Sequence, residues 1–247
     1  AGKNYFTASP VKLLLKILTV HTMINARRKE QCMRACIFDL DGTLTNTLES
    51  LTYSVNETLK EMGLRTISSE QCRQFVGNGA RCLMKRALQV SGDENAGRLE
   101  EGMKVYGRIF GANCTYHVTP YEGIPEMLDE LKKRGMKLGV LSNKPHGQTV
   151  DVAEKIFGSG MFDEIQGQSE SLARKPDPAG VFYLLEKMQI SKEECLYIGD
   201  SEVDIATGSA AGVKSVGVSW GFRSRETLKE AGAQIIIDVP QELLQYV

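Results

Sequence analysis

The sequence predicts an α/β fold, a doubly wound parallel sheet with helices on both faces, interrupted by an inserted all-helical segment. Three observations carry this reading. From residue 34 onward, short apolar runs of strand character alternate with stretches of helical period. Gly135 and Gly212 stand where helices must end, as left-handed caps require. Between about residues 48 and 115 the alternation stops, and only helical segments can be found.

The first strand is "ACIFD" at 35–39, an apolar run that ends in an acid. Helical segments follow at 48–62, 70–75, 80–89 and 98–110. A run of helices inside an alternating chain marks an insertion, here ending near Thr119–Pro120. Alternation then resumes, with helices at 124–134, 148–157, 179–188 and 203–211. Strands fall at 137–141, 162–166, 195–198, 215–218 and 235–237. The expected division is a Rossmann-like α/β core of residues 33–47 and 116–247 and a helical cap domain of residues 48–115.

Residues 1–32 read as an N-terminal extension. The first 29 carry six basic residues and no acid. Within them, "SPVKLLLKILTV" offers Ser9 as a cap, Pro10 at the first helical position, and Val11, Leu14, Leu15 and Leu18 on one face. One reading is a targeting or partner-binding helix. The favoured one is an extension foreign to the natural protein or translated from upstream, with Met33 as the natural start.

At 42% hydrophobic and 25% charged, the 247 residues have the composition of an ordinary globular protein. A formal charge of -1 gives no reason to expect nucleic acid or a membrane surface as partner. No apolar run reaches transmembrane length. Six scattered cysteines with no C-x-x-C pair read as reduced thiols of a cytoplasmic protein, neither a disulfide frame nor a zinc site. His21, His117 and His146 lack metal-ligand spacing, and Trp220 reads as a packing residue. A monomer or homodimer is expected.

The chemistry gathers at strand ends. In "FDLDGTL", Gly42 turns the chain and leaves Asp39 pointing out of the carboxyl end of the first strand, where open α/β sheets bind ligands. A D-G turn accounts for Asp41. It leaves Asp39 unexplained, because a strand-terminal carboxylate needs a cation or a proton. "GVLSNK" supplies Ser142 and Asn143, small donors suited to phosphate oxygens. "ARKPDP" supplies Lys175, and "LYIGDSEVD" supplies Asp200 with Asp204 one helical turn on. Each is a routine turn or loop taken alone; their shared location is not routine.

In this order the four segments resemble the motifs of the haloacid dehalogenase superfamily, specifically its phosphatase branch, over residues 33 to 240. The resemblance implies that Asp39 attacks phosphorus to form an aspartyl-phosphate. It implies that Asp41 protonates the leaving oxygen and later activates water. Gly42, Thr43, Ser142, Asn143 and Lys175 would hold the phosphoryl group. Mg²⁺ would bind Asp39, the Asp41 carbonyl, Asp200 and Asp204. Relatives that are dehalogenases lack the acid at position 41, so Asp41 argues for phosphoryl chemistry. One departure is Asn46, where many relatives carry Asp.

In this superfamily an insertion after the first motif forms a mobile cap that closes over the site. The expected reading loop is "FVGNGARCL", 75–83, where Gly77 and Gly79 permit close backbone approach. Arg81 opposes the dipole of the helix it begins, which leaves two readings open: it meets an offsetting anion, with a substrate carboxylate the expected one, or it is a solvated arginine in an ordinary inter-helix turn. "VGNGA" resembles the cap loop of phosphoglycolate phosphatases, which makes Asn78, Gly79 and Arg81 the specificity candidates. The expectation is a phosphatase acting on a small phosphorylated metabolite, 2-phosphoglycolate first. Alternatives are a sugar-phosphate mutase of the β-phosphoglucomutase type, a pyrophosphatase and, more distantly, a non-catalytic binding module.

Overall fold

A computed structural model describes residues 33–247, and Met33–Val247 forms one compact unit. The expectations for residues 1–32 lie outside the described residues. Six strands form one parallel sheet: β1 (Ala35–Phe38), β4 (Lys137–Pro145), β5 (Glu164–Gln168), β6 (Cys195–Gly199), β7 (Lys214–Val218) and β8 (Ile235–Ile237). Their order is β5-β4-β1-β6-β7-β8, which places β1 centrally, with Ala35 opposite both Lys137 and Cys195.

Strand alternation divides the core between two faces. Cys36 and Phe38 face the cluster built on α5 (Ile124–Lys133) and α6 (His146–Phe157), through Met127, Leu128, Val152 and Ala153. Ala35 and Ile37 face the opposite cluster, built largely on α7 (Ala179–Met188), through Val181, Leu184 and Leu185, with Ala211 closing α8 (Glu202–Ala211). A strand buried on both faces must be apolar throughout, as "ACIF" is. A short helix, α9 (Arg225–Glu230), precedes β8.

The insertion contains α1 (Leu48–Glu61), α2 (Ser69–Phe75), α3 (Ala80–Ser91) and α4 (Leu99–Asn113), with no strand among them. Ser68 starts α2 with a capping box, its hydroxyl accepting from Gln71 N–H. A two-stranded antiparallel ribbon, β2 (Thr45–Asn46) with β3 (Thr119–Pro120), ties the two ends of this segment together.

Several boundaries differ from the sequence reading by one to four residues, and three of these shifts have a visible cause. β4 runs on to Pro145 instead of stopping at 141, because its ladder with β5 resumes at Pro145 after a register shift. β5 begins at Glu164; Phe162 turns aside and packs edge-on against Phe157 at 5.7 Å. α4 continues through Gly111 to Asn113, whose side-chain amide donates to the Ile109 carbonyl.

Candidate active site

Every chemical residue named from strand ends lies at the carboxyl edge of the sheet. The Asp39 N–H extends the β1–β6 ladder by donating to the Ile198 carbonyl. Gly42 then adopts φ +94°, and a Cβ there would overlap the Asp200 carboxylate. Glycine is thus required twice, for the turn and for the close approach of Asp200 to the loop.

The carboxylates of Asp39, Asp200 and Asp204 each place an oxygen within 4.8 Å of the others, and all three are buried. Lys175 is inserted among them, its Nζ 2.8 Å from Asp39 Oδ1 and 2.7 Å from Asp204 Oδ1. Three carboxylates and one ammonium leave a formal charge of −2 in a buried cluster. Burial pushes the Asp39 carboxyl well above the usual carboxylate range; Lys175 pulls it back down, and the charges of Asp204 and Asp200 push it further up. Burial likewise pushes Asp200 up to about 7, Asp204 reinforcing it against the hydrogen bonds from Phe222 N–H and Thr43. For Lys175, burial works against the charge, and Asp204 and Asp39 outweigh it. Hard oxygen donors carrying an excess of two negative charges suit a divalent cation such as Mg²⁺. The residues present therefore fit such an ion.

Asp204 is the third residue of α8, where the Ser201 hydroxyl and N–H both donate to its Oδ2. Lys175 and the Tyr197 hydroxyl donate to its Oδ1. With both oxygens engaged, Asp204 contributes charge to the cluster and anchors Lys175.

Several residues expected to meet phosphate are turned to other work. The Thr43 hydroxyl donates to Asp200 Oδ1 at 3.0 Å. The Asn143 amide donates to the carbonyls of Lys175 and Gly77, and its oxygen accepts from Lys175 N–H. Asn143 thereby fixes the backbone of Lys175 and docks the 75–83 loop in one step. Ser142 lines the cavity above Asp39, its hydroxyl accepting from Lys144 N–H.

Of the three loop residues, only Gly79 lines that cavity. The Asn78 carbonyl accepts from Arg174, which holds the loop to the core. Arg81 is 54% exposed and is paired with Glu100 through both guanidinium nitrogens. The anion that offsets Arg81 is thus a neighbouring helix's own glutamate, in place of the expected substrate carboxylate. Arg223 completes the docking by donating to the Arg73 and Val76 carbonyls while paired with Glu202. His146 accepts from Gly167 N–H, His117 pairs with Glu49, and the Trp220 ring N–H donates to the Thr43 carbonyl. Asn46 lies on the ribbon, accepting from Leu48 N–H.

Among the polar residues lining the cavity, sequence reading missed two. Lys144 places Nζ 2.7 Å from Asp41 Oδ1 and is itself buried. Its signal was a lysine in a central strand, hidden by ending that strand at 141. Tyr106, buried on α4 and stacked on Phe110, lines the cavity from the helical side. Apolar residues dominate that side, with Leu51, Val76, Ala80 and Leu83 beside it. The free volume is about 50 Å³, on a scale where one water takes ~10–15 Å³. The five described cysteines are free thiols, and no described helix is long and apolar enough to cross a membrane.

Among curated proteins, the chain is 36% identical to a phosphoglycolate phosphatase of Rhodospirillum rubrum over 213 residues, 83% of this chain and 87% of the relative. It is 31% identical to the phosphoglycolate phosphatase of Pseudomonas fluorescens over 217 residues, 87% of this chain and 79% of the relative. A crystal structure of a candidate phosphoglycolate phosphatase from Lactobacillus delbrueckii subsp. bulgaricus superposes with a TM-score of 0.81 at 29% identity, covering 86% of this chain and 97% of that one. A sequence model of the family described as "Haloacid dehalogenase-like hydrolase" matches residues 36–218, and the chain belongs to that family.

Proposed function

We propose that the protein is a Mg²⁺-dependent phosphomonoesterase acting through an aspartyl-phosphate on Asp39, with 2-phosphoglycolate the first substrate to test. The observation that carries this is the −2 cluster of Asp39, Asp200, Asp204 and Lys175 at the sheet's carboxyl edge, with Asp41 beside it. Asp39 and Asp200, with the Asp41 carbonyl, would hold the ion. When bound, it supplies the positive charge that keeps Asp39 ionised beside a phosphate dianion.

An Asp39 oxygen forms the new bond to phosphorus as the ester P–O bond breaks, and Asp41 delivers a proton to the departing alkoxide. In the second half, Asp41 takes a proton from water, the water oxygen attacks phosphorus, and the Asp39–phosphorus bond breaks to release inorganic phosphate. Lys175 and the Ser142 hydroxyl neutralise charge on the transferring group. The helical segment acts as a cap, its 75–83 loop excluding water once docked by Asn143, Arg174 and Arg223.

The names of the relatives support the substrate, and the small, largely apolar cavity supports a small alcohol over a sugar, against the mutase reading. The test is phosphate release from a panel of phosphorylated metabolites and pyrophosphate, with and without Mg²⁺. Metal-dependent release led by a small ester is expected. No release from any compound would favour a non-catalytic module, and an isomerised sugar phosphate as product would favour a mutase.

A further inference from the structure

The site holds a second buried ammonium that the reaction above leaves unused. The Lys144 side chain is 2% exposed, with Nζ 2.7 Å from Asp41 Oδ1 and 5.0 Å from the centre of the Phe110 ring. A buried ammonium is costly unless it is paired and hydrogen-bonded. It carries three N–H donors, and among the described residues Asp41 is its one side-chain acceptor. The residue lines the cavity, and the face of Phe110 favours a charge held there.

The two lysines divide the cavity. Lys175 contacts Asp39 and Asp204, at the phosphoryl end. Lys144 contacts Asp41, the group that meets the leaving oxygen in the proposed reaction. Apart from Asp39, Asp41 and these two lysines, no charged side chain among the described residues lines the cavity. The leaving-group end is therefore an apolar chamber with one cation that has donors to spare.

We propose that Lys144 is a specificity-determining residue that binds a carboxylate on the leaving group, selecting small phosphate monoesters whose alcohol carries that anion close to the ester oxygen. The inference rests on the phosphatase reading, with Asp41 at the leaving oxygen. A lysine that served Asp41 alone would support every ester equally, and this separates the two roles.

The test compares 2-phosphoglycolate with ethyl phosphate, which lacks the carboxylate, in the wild-type protein and in Lys144→Met, with thermal melting as a check on folding. The wild type is expected to favour the carboxylated ester in kcat/KM. In Lys144→Met that preference falls by about 30-fold or more, the loss expected when one partner of a buried charge pair is truncated. Equal losses on both esters would overturn the proposal and leave Lys144 as a support for Asp41. Turnover of neither ester by the wild type, or full turnover by Asp39→Asn, would overturn the phosphatase reading itself. If Lys144→Met does not fold, the wild type alone decides: phosphonoacetate should inhibit at least about 30-fold more tightly than ethylphosphonate, and equal inhibition would overturn the assignment.

Discussion

Lys175 Nζ lies 2.8 Å from Asp39 Oδ1, and both side chains are buried. The contact answers only part of the negative charge around Asp39, since the same ammonium also serves Asp204. Asp39→Asn removes a charge from an over-negative cluster and leaves the Lys175–Asp204 pair intact. Turnover should fall by about 10³-fold or more, while the metal-free variant melts no lower than the wild type. Phosphate release and thermal melting check both halves; a variant that keeps its activity would exclude Asp39 as nucleophile.

The raised carboxyls of Asp39 and Asp200 set a sign for pH. A carboxyl near 4 in the unfolded chain and about 7 in the folded one, as for Asp200, binds its proton more tightly when folded. Its contribution to stability is present below about pH 4 and is lost as pH rises through about 7. A divalent ion needs the ionised form, so its binding strengthens over the same window. The rise in melting temperature on adding Mg²⁺ should be larger at pH 8 than at pH 6. An equal or reversed dependence would show that the ion does not displace protons from this cluster.

Asp41→Asn keeps an acceptor for Lys144 but removes the transferable proton. Hydrolysis of an alkyl phosphate should drop by roughly 10²- to 10⁴-fold. With p-nitrophenyl phosphate the first half needs no proton, so rapid-mixing experiments should show a burst of nitrophenol followed by slow turnover. A steady rate with no burst would place Asp41 outside the second half of the reaction.

Gly42→Ala tests how tightly the turn and Asp200 are coupled. The residue sits at φ +94° with its missing Cβ directed into the Asp200 carboxylate. Destabilisation of about 1–3 kcal/mol is expected, together with weakened Mg²⁺ binding, read by urea unfolding and metal titration. A variant of wild-type stability would show that the loop yields more easily than its packing implies.

The sheet's carboxyl edge was legible because alternation of strands and helices dictates where strands end, and Asp39, Lys175 and Asp200 sit beside those ends. What stayed hidden depends on pairing across distant segments. Arg81 looks like an unpaired cation until α4 brings Glu100 against it. Asn143 looks like a free donor until the fold sets it between Lys175 and Gly77. Lys144 looks like a solvated loop residue because nothing in "SNKP" announces that the ladder resumes at Pro145.

The ribbon that pairs Thr45 with Pro120 and Asn46 with Thr119 has a consequence beyond this reaction. The helical segment leaves the sheet and rejoins it through adjacent, hydrogen-bonded backbone, so its length does not strain the six strands. Evolution, or a designer building chimeras, can exchange that whole segment and redirect the enzyme to a new ester without re-inventing the acids beneath it.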